Sequence, residues 1–490
     1  MNGPLRRVAV ALFVVFMILV LNVTYWQVIA ADRLRDDPRN SRVLLTRTGR
    51  ERGLIISADG EILARSIGDP IDSQRYLRQY PYEGLYAHTV GFSSLLFGGT
   101  GIERAFAEEL TSGRDLTVAG VINALLGGDV RAQSVQLTLN HQLQTIASEA
   151  LAGQTGAVVA INPATGEILA MVSTPDFDPN RLIGSGAPQA WSDLQEDPTR
   201  PLLSRATGQS YPPGSTFKSI VATAALETGE AGPDTLFPNT RSIDLPNSTA
   251  TIENFNASLC GAGDQVTLEE SFLRSCNTTF ALLGMDLGAE AVVDAAQSFG
   301  FNRPVPLEIP LLTSAIPPAD TFANSLAALA QTSLGERDVQ ATAFQMALVA
   351  SAIANDGLLM EPHLLARIFD ADSTLESEVE PSVYAQPLGA GTAVVLQQMM
   401  ERVVTQGTGT RAQIPGVRVA GKTGTSESAT GPPHAWFIGF APVERPMIAI
   451  AVVVASGGDI GESATGGSVA APIARTVIEA WLNIALDPAP

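Results

Sequence analysis

The first pattern along the chain is an uncharged stretch over residues 8–31, preceded by Arg6 and Arg7. As a helix it is long enough to cross a hydrocarbon layer of roughly 30 Å. The two arginines belong on the cytoplasmic side, which makes the remainder of the chain extracytoplasmic. A cleaved leader competes with this reading, because the most apolar part, residues 8–21, is short and Val28-Ile29-Ala30 resembles a cleavage site. Tyr25 and Trp26 favour a retained, single-pass anchor: both suit the outer membrane interface and are bulky for a peptidase site. On either reading the following residues are exported.

Residues 32–52 are rich in Arg and Asp and poor in apolar residues, the composition of a stalk. A strand pattern over 53–65 is broken by Asp59-Gly60, a hairpin signal. An amphipathic helix is expected over 102–110, a strand over 135–139 and a helix over 142–151. Glycines between 153 and 156 mark a boundary, so the chain divides into an anchor (1–31), a stalk with a small N-terminal domain (32–152) and a large domain (153–490). The large domain opens with strands at 157–161 and 168–173 around an Asn-Pro-Ala-Thr-Gly turn. It closes with strands at 417–420, 435–440 and 447–455 and an amphipathic helix at 469–484. Helical patterns dominate 215–357. About five strands, far apart in sequence, must therefore meet in one antiparallel or mixed sheet backed by helices, an α+β arrangement.

The net charge of −20 and a pI near 4.6 leave no basic surface for phosphate backbones, which excludes a nucleic-acid role. Within the 30 basic residues, lysine occurs only at Lys218 and Lys422. Arg keeps its proton at any ordinary pH, whereas burial or neighbouring cations can make a lysine amine neutral. Two lysines retained in a chain that otherwise uses Arg point to chemistry. The two cysteines, Cys260 and Cys276, both lie in the exported part, where a disulfide forms readily. The alternative is two separate buried thiols. His88, His141, His363 and His434 show no paired ligand spacing, so no metal site is expected.

Lys218 sits in Tyr211-Pro-Pro-Gly-Ser-Thr-Phe-Lys218, where two prolines and a glycine end as a helical pattern begins. Ser215 is then expected in the first helical turn, where free amides favour developing negative charge. The spacing of three puts the Ser215 hydroxyl and the Lys218 amine on one face, a nucleophile beside a base. Lys422 lies in Gly421-Lys-Thr-Gly-Thr425 at the end of the strand 417–420, and Ser275-Cys-Asn277 lies between the two lysine motifs. The sequence Gly416-Val-Arg-Val-Ala-Gly421-Lys422-Thr423 also fits a phosphate-binding loop, but the strand occupies the loop positions and residues 424–433 cannot form the required helix.

The ordered set S-x-x-K, S-x-N, K-T-G is the signature of penicillin-binding proteins and serine β-lactamases. Over nearly its whole length the chain resembles class B penicillin-binding proteins, in Arg52-Gly53 with Gly60 and Leu63-Ala64, in Gly101-Ile-Glu103, in residues 161–170 and 176–180, and in residues 434–442. Short length, lysine poverty and the cysteine pair resemble its actinobacterial branch. Ser333-Leu-Gly-Glu336 departs from the pattern, with Glu where a Gln is common, as does Asn355-Asp-Gly357.

The resemblance implies a penicillin-binding transpeptidase fold with a dimerisation or pedestal-like N-terminal unit. It implies that Ser215 attacks a D-Ala-D-Ala carbonyl, that Lys218 takes its proton, and that Ser275 and Asn277 serve proton delivery and substrate positioning. Lys422 and Thr425 would meet the terminal carboxylate with Thr423 and Gly424 in the same strand, and the backbone N–H groups of Ser215 and Thr425 would form the oxyanion hole. The implied partners are stem peptides of the lipid-linked precursor, β-lactams, the membrane and a multi-span glycan polymerase, with no cofactor. A D,D-carboxypeptidase, a β-lactamase and a non-catalytic scaffold are the alternatives; anchor and stalk argue against the second, and the intact motifs against the third.

Overall fold

A computed structural model describes residues 3–26, 51–70, 75–111, 132–428 and 431–486. Helix α1 (Gly3–Thr24) has a mean hydropathy of 2.4 over its span from Arg6 and buries none of it against the rest of the protein. An apolar helix with no protein partner suits the lipid phase, and the protein is membrane-anchored by it. Tyr25 and Trp26 pack edge to face just beyond its end, with ring centroids 5.5 Å apart. The rest of the expected span, 27–31, and the stalk up to residue 50 lie outside the described residues.

The N-terminal unit begins with β1 (Ile55–Ile56) and β2 (Ile62–Gly68), joined at the Asp59-Gly60 turn, where Gly60 has φ +90°. Strand β3 (Tyr76–Gln79) follows, then α2 (Gly101–Ala105) and β4 (Ser134–Leu137). The helix expected over 102–110 stops at Ala105. The carbonyls of Glu109 and Leu110, which a longer helix would lead up to, accept instead from Gln133 and Gly53, both at 2.9 Å. Glu103 on α2 is buried and bonds Arg52 (2.8 Å), Arg78 (2.5 Å) and Tyr80 (3.3 Å). Burial alone would raise its carboxyl; the two guanidiniums outweigh that and hold it below the ordinary value.

Just before the large domain, α3 (His141–Ala150) is capped by the Asn140 side chain. It leads into β5 (Gly156–Ile161) and β6 (Ile168–Thr174). A helical middle follows: α4 (Lys218–Thr228), α5 (Leu268–Arg274), α6 (Asn277–Ser298) and α7 (Ala343–Ala354). After β7 (Leu365–Phe369), β8 (Leu375–Glu378) and α8 (Ala390–Gln406), the chain forms β9 (Ala420–Ser428), β10 (Gly431–Ala441) and β11 (Ile448–Val454), and closes on α9 (Ala471–Leu486).

The central sheet has the order β9-β10-β11-β5-β6 and is antiparallel throughout. The first and last thirds of the domain do meet, at the pairing of β5 with β11. Alternate side chains bury on opposite faces, as a period of two requires. Val159, Ile438 and Ala451 face the cluster containing α7, whereas Val158, Phe437 and Val452 face the one containing α3 and α9. Every residue of α7 is buried, the mark of a helix enclosed on all sides. A second sheet, β8-β7-β4-β1-β2-β3, takes four strands from the N-terminal unit and two from the middle of the large domain. Residues 365–378 thus cross the division at 152/153, with Leu365 opposite Leu137.

Candidate active site

Strand β9 is the edge of the central sheet and carries Lys422 inside it. The strand expected at 417–420 in fact starts at Ala420, because residues 414–417 close a turn with Gly416 at φ +80°. Lys-Thr-Gly is therefore strand, not the loop after it. Ser215 also sits differently from expectation, in a 3₁₀ turn (Gly214–Thr216) just ahead of α4. That turn lies against β9 at two glycines. A Cβ on Gly424 would stand 2.9 Å from Pro213 O, and one on Gly214 (φ +52°) would stand 2.6 Å from Thr425 O. Trp436 on β10, wholly buried, donates its indole N–H to Pro212 O at 3.0 Å and holds the segment leading to Ser215.

Lys218 and Lys422 are both fully buried. The Lys218 amine donates to Ser275 O at 2.8 Å and to Asn277 Oδ1 at 2.7 Å. The Lys422 amine donates to Ser275 Oγ at 2.8 Å and to Thr423 O at 3.0 Å. Ser275 thus links the two lysines, one through its carbonyl and one through its hydroxyl. It can do so because it occupies the left-handed region (φ 64°, ψ 42°) at the end of α5, a conformation that costs a non-glycine residue about 1–3 kcal/mol. Its neighbour Cys276 is bonded to Cys260, and Cys276 N–H closes on Ser271 O at 2.8 Å. Asn277 opens α6 and uses its amide N–H on Glu253 O at 2.8 Å, so its oxygen is oriented toward Lys218.

Among the described residues neither lysine forms an ion pair; each amine lies 5.5 Å from an aromatic ring centre, Phe280 for Lys218 and Phe272 for Lys422. Burial pushes the Lys218 amine well below its ordinary value, the charge of Lys422 pushes the same way, and Glu336 opposes both. Burial lowers Lys422 to about 7. A neutral amine is what base catalysis requires; the bonds the Lys218 amine makes are to Ser275 and Asn277, not to the Ser215 hydroxyl.

Thr423 is buried and pairs its hydroxyl with Thr408 at 2.5 Å, while the half-buried Thr425 accepts Gly466 N–H at 3.3 Å. The Thr425 carbonyl faces the Ser215 turn, and in a strand a residue's N–H leaves the same side as its C=O. A cavity of about 460 Å³ opens beside Ser275 against the disulfide loop, with Phe255, Leu259, Glu270 and Arg274 in its lining. The sequence reading did not assign Trp436, Thr408 or Glu336 to this site. Trp436 lies in the matching segment 434–442 and Glu336 in a departure from the pattern, whereas nothing in the sequence pointed to Thr408.

An edge strand carrying Lys-Thr-Gly beside a turn carrying Ser-x-x-Lys, with Ser-x-Asn between, defines the penicillin-binding and serine β-lactamase class. Residues 156–479 match the family model for the penicillin binding protein transpeptidase domain, and residues 52–135 match that for the penicillin binding protein A dimerisation domain. The chain belongs to the penicillin-binding protein transpeptidase family. It is 43% identical to the peptidoglycan D,D-transpeptidase PbpA of Mycolicibacterium smegmatis over 504 aligned residues, covering 99% of each chain. It is 41% identical to that of Mycobacterium tuberculosis over 505, again covering 99% of each. The solved structure of penicillin-binding protein A from M. tuberculosis as a ceftriaxone acyl-enzyme matches with a TM-score of 0.83 at 38% identity, covering 89% of this chain and 99% of that one.

Proposed function

We propose that the protein is a membrane-anchored peptidoglycan D,D-transpeptidase that cross-links stem peptides through an acyl-enzyme on Ser215 and is acylated there by β-lactams. The observation that carries this is Ser275 held between two desolvated lysine amines, beside the turn that presents Ser215. In this reading Lys218, neutral, takes the Ser215 proton as Oγ attacks the carbonyl of the penultimate D-Ala. The N–H groups of Ser215 and Thr425 receive the oxyanion, each such donor contributing roughly 3 kcal/mol. As the C–N bond breaks, the proton passes by way of the Ser275 hydroxyl, backed by Lys422, to the departing D-Ala amine. Asn277 orients the donor amide. Lys422 and Thr425 meet its terminal carboxylate, and Thr423 and Gly424 let β9 lie close to it. An amine of a second stem peptide then attacks the ester, and Ser215 regains its proton.

Arg6 and Arg7, in the first turn of α1 and ahead of its apolar run, support a single pass with a cytoplasmic N-terminus. Residues 51–152 are too few for a glycan-polymerising domain, which supports a separate multi-span polymerase as partner. Intact-mass measurement after incubation with benzylpenicillin tests the reading: one antibiotic should add, map to Ser215 by peptide mass, and be absent from Ser215→Ala. A folded protein with no adduct refutes it.

A further inference from the structure

The loop that follows α8 takes no part in these steps, yet it touches the site from two sides. The N–H groups of Gly407 and Gly409 both close on Val403 O, at 3.1 and 3.0 Å, so the helix ends in a tight turn that carries Thr408 between them. On one side of this turn, a Cβ on Gly407 would stand 2.5 Å from Leu273 O, two residues before Ser275. On the other, a Cβ on Gly467 would stand 2.4 Å from Thr408 O. Neither glycine leaves room for a side chain. Thr408 is therefore fixed by backbone packing between the end of α5 and the turn Gly466–Ala470 that precedes α9. From there its hydroxyl meets that of Thr423 on β9 at 2.5 Å.

Thr423 and Thr425 stand two apart in β9, so their side chains share a face. Each is met by one of the two packed segments. Gly466 N–H donates to Thr425 Oγ1 at 3.3 Å, which leaves the Thr425 proton free to be given elsewhere. The Thr408–Thr423 pair can be wired two ways, since either hydroxyl can donate, and among the described residues neither has another partner. Thr408 is exposed, whereas Thr423 is only 5% exposed. If Thr423 donates, its proton is spent on Thr408 and only lone pairs face an arriving anion. If Thr408 donates, Thr423 keeps a proton to give. A carboxylate accepts and cannot donate, so it selects the second arrangement. A hydroxyl that is itself accepting is also the stronger donor.

We propose that Thr408 is a positioning residue for the donor's terminal carboxylate: its hydroxyl donates to Thr423 and so makes Thr423 a second hydroxyl donor beside Thr425 and the Lys422 amine. The inference rests on the transpeptidase reading and deepens it, because recognition of the carboxylate then begins outside the Lys-Thr-Gly strand. Thr408 acts only through Thr423 and touches no reacting atom. Its consequence is specificity. A hydrogen bond to an ionised acceptor is roughly twice as strong as one to a neutral acceptor, so the oriented pair favours a carboxylate over an amide at the same position.

The test uses the full-length protein in detergent with two acyl-D-alanyl thioesters that differ only in the leaving group, thioglycolate or thioglycolamide. It reads kcat/KM for thiol release from each and takes the ratio of carboxylate to amide, which a general loss of folded protein or of acylation leaves unchanged. Thr408→Val should lower the ratio about tenfold, the effect of one hydrogen bond to a charged group, and Thr408→Ser should restore it. In a Thr423→Val background, Thr408→Val should change the ratio no further, because the two residues act as one unit. An unmutated ratio in Thr408→Val, even with both rates lowered together, overturns the proposal while leaving the transpeptidase reading intact. So does a Thr408→Ser ratio equal to that of Thr408→Val, which would make packing and not the hydroxyl the cause. If Thr408→Val does not fold, Thr408→Ala, which only removes atoms from an exposed side chain, carries the same comparison. Absence of any acyl-enzyme in the unmutated protein overturns both.

Discussion

Lys218 and Lys422 share burial and lowered proton affinity, yet their contacts differ, and the difference can be measured. Lys218 reaches Ser275 O and Asn277 Oδ1, both acceptors, from the helix that follows Ser215. It must be neutral when Ser215 gives up its proton, which Arg cannot be. Lys218→Arg should therefore lose about 10² to 10⁴ in acylation rate by a fluorescent penicillin, approaching Ser215→Ala. Lys422, at about 7, is charged below neutral pH and loses its charge above it. If its cation receives the substrate carboxylate, the second-order acylation constant should fall as pH rises above about 7, and Lys422→Arg should retain measurable acylation without that fall. Near-normal rates in Lys218→Arg would remove it as the base. Complete loss in Lys422→Arg would mean that Lys422 must also give up a proton.

At the scale of elements, the site depends on how α5 ends. The helix stops at a left-handed serine, and the next residue is tied by a disulfide to Cys260 on the far side of a short loop. Closing a loop with a sequence separation of 16 stabilises a fold by about 3 kcal/mol in the chain-entropy model. The Cys260→Ala/Cys276→Ala variant should lose stability of that order in urea unfolding. It should also acylate more slowly, because Ser275 loses a restraint on the conformation that lets it contact both lysines. An unchanged midpoint with unchanged acylation would show the bond to be irrelevant to both.

For the whole molecule, the division suggested by glycines at 153–156 does not separate two independent sheets. Strands β7 and β8, deep within the large domain's sequence, complete the sheet of the N-terminal unit through β4. A fragment beginning at residue 153 would expose the β7 edge that β4 covers, the kind of unpaired strand that aggregates. A fragment beginning at residue 51 keeps both sheets and lacks the anchor. The longer fragment should elute as a discrete species in size-exclusion chromatography and bind penicillin, whereas the shorter should aggregate or lose midpoint temperature. A shorter fragment as stable as the longer one would show that the shared sheet contributes little.

The sequence by itself determined what local chemistry and periodicity can carry. The uncharged N-terminal run, the apolar runs of the central strands and the Asp59-Gly60 turn each depend on neighbours in the chain, and all were legible. The candidate site was legible for a different reason: in a chain nearly without lysine, both lysines stood inside short motifs with serine, threonine and glycine. Tertiary structure decided what depends on distant contacts. Residues 109 and 110 lie outside α2 and pair with Gln133 and Gly53, and Lys-Thr-Gly is strand because β10 pairs with it. The lowered affinity of the two amines comes from packing against residues as distant as Phe272 and Phe280, and the place of Thr408 comes from Gly407 lying on the end of α5 and Gly467 on the Thr408 carbonyl. Neither has a pattern in the sequence, because burial and close approach are properties of the assembled core.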